Sequence, residues 1–211
     1  MTAIDEKNKC RLGILISGGG RTLLNLLDAI ERGTLAAEVA VVISSLAHAK
    51  GVERARAAGL PVEIIRKKDH PDLAAFSHRI TATLESNRVD LACLAGWTCF
   101  WQIPDSWMGR VMNIHPALLP KYGGKGFFGH HVHEAVLTAG ETESGCTVHF
   151  ANNEYDAGPI ILQRKVPVLP GDNADALAAR VFEQECVAYP EAIQLFAQGR
   201  VTLKNGQVIR S

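Results

Sequence analysis

A chain of 211 residues holds one α/β domain or two small ones, since domains usually run to about 100–200 residues, and this excludes a tandem multidomain machine. With 47% hydrophobic and 21% charged residues it has the apolar material for a buried core and too little net charge to stay disordered. Twenty-two basic and twenty-two acidic residues cancel, which removes the electrostatic case for a dedicated nucleic-acid or membrane-surface protein and leaves any anionic ligand to a local cluster.

The opening residues 1–9 carry acids and no apolar region of the kind a secretory leader needs. Residues 11–17, Arg-Leu-Gly-Ile-Leu-Ile-Ser, are an apolar run stopped by Gly18-Gly19-Gly20, after which Leu23, Leu24, Leu26, Leu27 and Ile30 recur at helical spacing; this predicts strand, glycine turn and helix. A second β-branched run covers 39–43, an Ala- and Arg-rich helix 48–58 stops at Gly59, and a third strand covers 62–65. A helix over 72–87 and strands over 91–94 and 111–114 complete five β units, joined by segments long enough for crossovers. Fully apolar strands separated by helices indicate a parallel sheet covered on both faces.

Beyond Pro120 a glycine-rich loop, Lys121-Tyr122-Gly123-Gly124-Lys125-Gly126, leads to a helix over 131–138. Residues 146–152 and 160–168 alternate like an antiparallel pair, joined by the turn-forming residues 153–159. A long helix over 173–197 is capped at Asp172 or Asn173 and stops at Gly199, and 201–209 reads as a hairpin around Asn205-Gly206. The expected whole is a single domain over 1–211, an α/β fold with an open, doubly wound, mostly parallel Rossmann-like sheet, an antiparallel C-terminal strand pair and a long C-terminal helix. No apolar run approaches the roughly 20 residues that span a bilayer. The five cysteines, Cys10, Cys93, Cys99, Cys146 and Cys186, form no C-x-x-C pair, and this usage suits a reducing cytoplasm.

A strand running through Gly18, Gly19 and Gly20 into a helix sets bare backbone N–H groups and a helix N-terminus at one spot, where a phosphate is the natural guest. Arg21 and Thr22 add a charge and a hydroxyl. Leu23 replaces the third glycine of a dinucleotide fingerprint, Ser44 and Ser45 stand where an acid should meet ribose, and no G-K-[ST] follows, which argues against NAD and against a P-loop. The plainer reading is a tight βα turn, which three successive glycines exceed.

The most specific segment is Asn113-Ile114-His115-Pro116-Ala117-Leu118-Leu119-Pro120. Residues two apart on a strand face the same way, so Asn113 and His115 project together at a strand's C-terminal end, where open α/β sheets bind ligands. Pro116 cannot continue a central ladder, which makes His115 the last strand residue. An amide beside an imidazole suits stabilisation of a developing oxyanion and proton movement near neutral pH. A carboxylate to orient the ring is still needed, and Asp156, in the turn before Ala157-Gly158-Pro159, is the candidate.

These segments have company: Leu94-Ala-Gly-Trp97, Gly145-x-Thr-Val-His-Phe150, Asp156-Ala-Gly-Pro-Ile-Ile-Leu-Gln163 and Glu183-Gln-Glu185 occur in the same chain. In this order they resemble the phosphoribosylglycinamide formyltransferases over residues 11–203. The resemblance implies formyl transfer from 10-formyltetrahydrofolate, as co-substrate, to the glycinamide amine of phosphoribosylglycinamide in de novo purine synthesis. It implies Asn113, His115 and Asp156 as the catalytic trio. Gly18, Gly19, Gly20, Arg21 and Thr22 correspond to the phosphate turn and Glu185 to the acid that holds the substrate's ribose. Trp97, Thr98, Cys99, Phe100 and Trp101, with Asn152, Asn153, Glu154 and Tyr155, correspond to the folate-docking segments. Residues 11–115 then form a phosphate-binding βα half and 116–211 a catalytic-loop and folate-binding half. A cytoplasmic monomer or homodimer without metal, nucleic acid or membrane partners is expected.

Four other readings stand beside this one. A deformylase or a transferase acting on another acceptor would share the core, and a non-catalytic module would only grip a phosphorylated metabolite. His130, His131 and His133 invite a metal-hydrolase reading, but no acid or cysteine completes a usual ligand spacing around them. Trp97, Phe100, Trp101 and Trp107 suit a core as well as the lining for a flat ring.

Overall fold

The computed structural model describes residues 9–211; the opening residues read above for a leader lie, up to residue 8, outside the described residues. The chain divides into two compact units, Met1–Met112 and Asn113–Ser211, so that the boundary falls inside a strand.

The first unit contains β1 (Cys10–Ile16), α1 (Arg21–Glu31), β2 (Ala37–Ser44), α2 (Lys50–Ala57), β3 (Val62–Ile64), α3 (Leu73–Ser86), β4 (Leu91–Leu94) and the start of β5 (Val111–His115). β1 pairs in parallel with β2 on one side and β4 on the other, and β2 pairs in parallel with β3. These strands are apolar along their length because both faces are covered: Leu12, Ile14, Leu15, Ile16, Val42, Ile43, Leu91 and Ala92 have no exposed surface. α1 buries the stripe Leu23, Leu26 and Ala29, one residue per turn, and α3 buries Phe76, Ile80 and Leu84. Asp72 caps α3, its carboxylate accepting from the Ala75 N–H at 2.7 Å.

The second unit contains the end of β5, α4 (His130–Thr138), β6 (Glu143–Phe150), β7 (Ile160–Pro167), α5 (Ala174–Ala197), β8 (Val201–Lys204) and β9 (Gln207–Arg210). β6 and β7 are antiparallel, as are β8 and β9. The Asn173 side chain caps α5 by accepting from the Ala176 N–H at 2.8 Å, while Asp172 is taken by Arg180 at 2.6 Å. In hydrogen-bonding order the strands run β3-β2-β1-β4-β5-β6-β7, with β8-β9 a separate pair, which is the doubly wound arrangement expected.

Most element bounds fall within two residues of those predicted; β6 differs by more. It starts at Glu143 rather than 146, because Glu143, Ser144 and Gly145 pair with Pro167, Val166 and Lys165. It ends at Phe150 rather than 152, where Asn152 leaves the ladder and its side chain accepts from the Glu154 N–H at 3.0 Å.

Candidate active site

In the first unit the chain order reverses between β1 and β4, the position at which open α/β sheets form a crevice. Gly20 is the N-cap of α1 in a left-handed conformation (φ 71°), and no side chain caps the helix. Its first turn lies at the positive end of the helix dipole. The turn is pinned from α2: the Gly51 N–H donates to the Gly18 carbonyl at 3.0 Å and Arg54 Nη1 to the Gly19 carbonyl at 2.6 Å. A Cβ on Gly20 would lie 2.7 Å from the Gly51 Cα, backbone against backbone. Gly20→Ala is expected to lose about 1–3 kcal/mol of stability, from strain at a left-handed position and this contact. A urea denaturation midpoint equal to that of the parent protein would refute it. Arg21 is exposed and Thr22 half-buried at the head of the helix.

Ser17 joins this turn to the end of β4. Its N–H donates to the Gly96 carbonyl at 3.0 Å, and its hydroxyl accepts from the Thr98 N–H at 3.0 Å and from Ser45 at 2.7 Å. Of the folate-segment residues predicted here, Trp97 stacks on Phe76 with centroids 6.2 Å apart and planes 6° apart. Trp101 is buried edge-on to Trp107, in the manner of a core residue. The indole N–H groups of Trp97 and Trp101 are both buried without a hydrogen-bond partner. Thr98 is exposed, and Cys99 and Phe100 are half-buried.

In the second unit Asn113 and His115, one pleat apart on β5, converge on the carboxylate of Asp156, which is 43 residues from Asn113 along the chain. Asn113 Nδ2 donates to Asp156 Oδ1 at 3.2 Å, and His115 Nδ1 stands 3.5 Å from the same oxygen. Asp156 Oδ2 accepts from the Gly124 N–H at 2.9 Å. The turn that presents Asp156 is tight: its backbone is left-handed (φ 54°), and a Cβ at Gly158 would fall on the Phe150 carbonyl, so the Asp-Ala-Gly-Pro segment tolerates no side chain there. A buried network holds the segment after His115. The Thr147 hydroxyl donates to the Ala117 carbonyl at 2.6 Å and accepts from the Leu119 N–H at 3.1 Å and from Gln163 at 2.9 Å.

The His115 tautomer follows from its partners. Nε2 lies 2.8 Å from the Tyr122 carbonyl, which only accepts, so Nε2 carries a proton. Nδ1, on the side of Asp156, is the nitrogen whose proton comes and goes. Burial holds the His115 imidazole below its ordinary value; Asp156 and the Tyr122 carbonyl pull the other way, and His149 depresses it further. Burial pushes the Asp156 carboxyl up, but His149, His115 and the Gly124 N–H outweigh it and leave the group below its ordinary value. Asp156 is thus an anion at neutral pH, beside an imidazole able to change charge.

His149 is the site residue that pattern reading missed. It is buried on β6, with Nδ1 donating to the Phe150 carbonyl at 3.0 Å and Nε2 facing Asn113 Nδ2 at 3.1 Å. The signal was a polar pair, Thr147 and His149, two apart on one face and alternating with the apolar Cys146, Val148 and Phe150. Tyr122 and Gly124 contribute backbone atoms, which no side-chain pattern marks. Glu185 is half-buried on α5, near enough to Cys146 to raise that thiol's pKa together with burial. Asn153, Glu154 and Tyr155 are exposed. His130 and His131 face Glu134 at 3.5 and 3.4 Å, and among the described residues no group of three or more His, Cys, Asp or Glu is placed to hold a metal ion. No helix among them is long and apolar enough to cross a membrane.

The family profile described as Formyl transferase matches residues 10–193. The chain belongs to the formyl transferase family. Within it, the chain is 38% identical over 197 residues to the phosphoribosylglycinamide formyltransferase of Haemophilus influenzae, covering 92% of this chain and 91% of that one. It is 40% identical over 206 residues, 96% of its length, to the human trifunctional purine biosynthetic protein adenosine-3. It spans only 14–20% of the length of the trifunctional relatives from insects and vertebrates. Among solved structures, glycinamide ribonucleotide transformylase 1 from Symbiobacterium toebii matches with a TM-score of 0.89 and 40% identity, over 96% of this chain and 94% of that one.

Proposed function

We propose that this formyl transferase moves a formyl group from 10-formyltetrahydrofolate to the glycinamide amine of phosphoribosylglycinamide, in de novo purine synthesis. The observation that carries the proposal is the meeting of Asn113, His115 and Asp156 around one carboxylate oxygen. The amine attacks the formyl carbon, a C–N bond forms, and the carbonyl oxygen takes up negative charge. Asn113 exchanges its 3.2 Å bond to Asp156 for a bond to that oxygen, and His115 donates to it through Nδ1 as the imidazolium. Asp156 favours the charged ring and, through water, takes the proton that the amine sheds. Collapse of the adduct breaks the bond to N10 of the folate, which leaves with a proton as tetrahydrofolate.

In this reading the chain works as one formyltransferase domain. The open start of α1, with Gly18, Gly19, Gly20, Arg21 and Thr22, receives the substrate phosphate. Glu185 holds its ribose, and Trp97 to Trp101 with Asn152 to Tyr155 dock the folate. The name of the Haemophilus influenzae relative supports the choice of acceptor. The protein is read as a cytoplasmic monomer or homodimer.

The test follows the absorbance of released tetrahydrofolate with and without phosphoribosylglycinamide. Acceptor-dependent release supports transfer. Release without acceptor points to a deformylase, and binding without release to a non-catalytic module.

A further inference from the structure

The carbonyl on His115 Nε2 belongs to Tyr122, a bulky residue held in the left-handed region (φ 56°), where side chains other than glycine are strained and persist only if their surroundings hold them. Packing alone does not hold this one. The Tyr122 ring meets Phe127 edge-on at 6.3 Å, but Tyr122 also borders a cavity of about 190 Å³, together with Leu118, Val136, Glu141 and Ser144, whose hydroxyl is buried and unpartnered. The anchor is polar: the Tyr122 hydroxyl donates to Glu141 Oε1 at 2.9 Å, and Lys121 Nζ donates to the same oxygen at 2.8 Å. Glu141 follows α4, on which His133 lies near enough to His115 for that ring to help depress it. One carboxylate therefore ties down both residues that precede the Gly123-Gly124 pair, and Gly124 in turn donates to Asp156.

We propose that Tyr122 and Glu141 are positioning residues: the Glu141 carboxylate clamps the Tyr122 side chain so that its backbone carbonyl stays on His115 Nε2 and leaves Nδ1 as the proton-exchanging nitrogen. Neither residue is a catalytic residue, because both act through the ring of His115. The consequence for turnover rests on the formyl-transfer reading; the consequence for the ring does not. The groups facing His115 are Asp156, His149 on β6 and His133 on α4, and those on Glu141 are Lys121 and Tyr122; all but the clamp pair are retained in the test.

The test is carried out on the whole protein with ¹⁵N-labelled histidine. In the parent protein the neutral His115 ring is expected as the Nε2–H tautomer. In Tyr122→Phe, which keeps the ring, and in Glu141→Gln, which keeps the shape, a mixture of tautomers is expected with a lower titration midpoint, because the Tyr122 carbonyl favours the charged ring. Steady-state rates should show kcat reduced by roughly 10-fold or more, as misorientation of a reacting group does, with each KM changed much less. Parent-like His115 spectra in both variants overturn the proposal. Altered spectra with unchanged kcat uphold the clamp and remove His115 from the transfer mechanism, which separates failure of the functional reading from failure of this one.

Discussion

Asp156→Asn is expected to lower kcat by about 10²–10⁴-fold, the range that a positioned proton-transfer group contributes. The substitution keeps the size of the side chain and an oxygen for the Gly124 N–H, and removes the charge 3.5 Å from His115 Nδ1. Two effects then act in the same direction. No carboxylate remains to take the amine proton, and the imidazolium loses the nearest anion that favours it. Burial already holds the ring below its ordinary value and Asp156 is the largest influence opposing burial, so its loss moves His115 further down. The limb of the kcat/KM profile that reports His115 should therefore shift to lower pH. His115→Ala is expected to fall in the same range. A near-parent rate in either variant, with the circular dichroism spectrum preserved, removes that residue from the mechanism.

The second large effect concerns stability. His133 is 4% exposed on α4 and its Nδ1 has no partner. Burial, reinforced by His130 and His115, pushes its imidazole down from 6.5 to about 4. The folded state thus binds fewer protons than the unfolded state between these values, so stability rises with pH across the window and is lost as pH falls from 6.5 towards 4. At 1.36 kcal/mol per unit this amounts to about 3 kcal/mol. His115, also depressed, adds to the loss with the same sign. Urea denaturation of the parent protein and of His133→Leu between pH 7 and 4 measures the effect. The variant should show a flatter curve by about that amount, and equal slopes would show that His133 is not the cause.

Some of this was legible in the chain because it depends on local periodicity. Asn113 and His115 are two apart before a proline, so a strand alone makes them neighbours on one face. Asp156 was legible by its setting: an acid in a turn closed by Gly158-Pro159 has a fixed direction, although nothing local says towards what. The burial of His133 was not legible: the predicted helix over 131–138 contains it, but only the packing of α4 decides that this histidine faces inward. The start of β6 was hidden because Glu143 and Gly145 are poor strand formers and pair only once β7 supplies their ladder partners.

By itself the sequence determined the alternation of strand and helix, the open N-terminus of α1 behind three glycines, and the residue types able to carry acyl transfer, because apolar period, turn chemistry and side-chain chemistry act over a few positions. Only the tertiary structure decided which protonation state those residues adopt. The proton on His115 Nε2 depends on the Tyr122 carbonyl, the charge of Asp156 on His149, His115 and an N–H from Gly124, and the pinning of Asn113 on His149. Backbone dipoles and burial arise from the path of the folded chain rather than from its letters, and they weigh as much in setting a pKa as the side chains do.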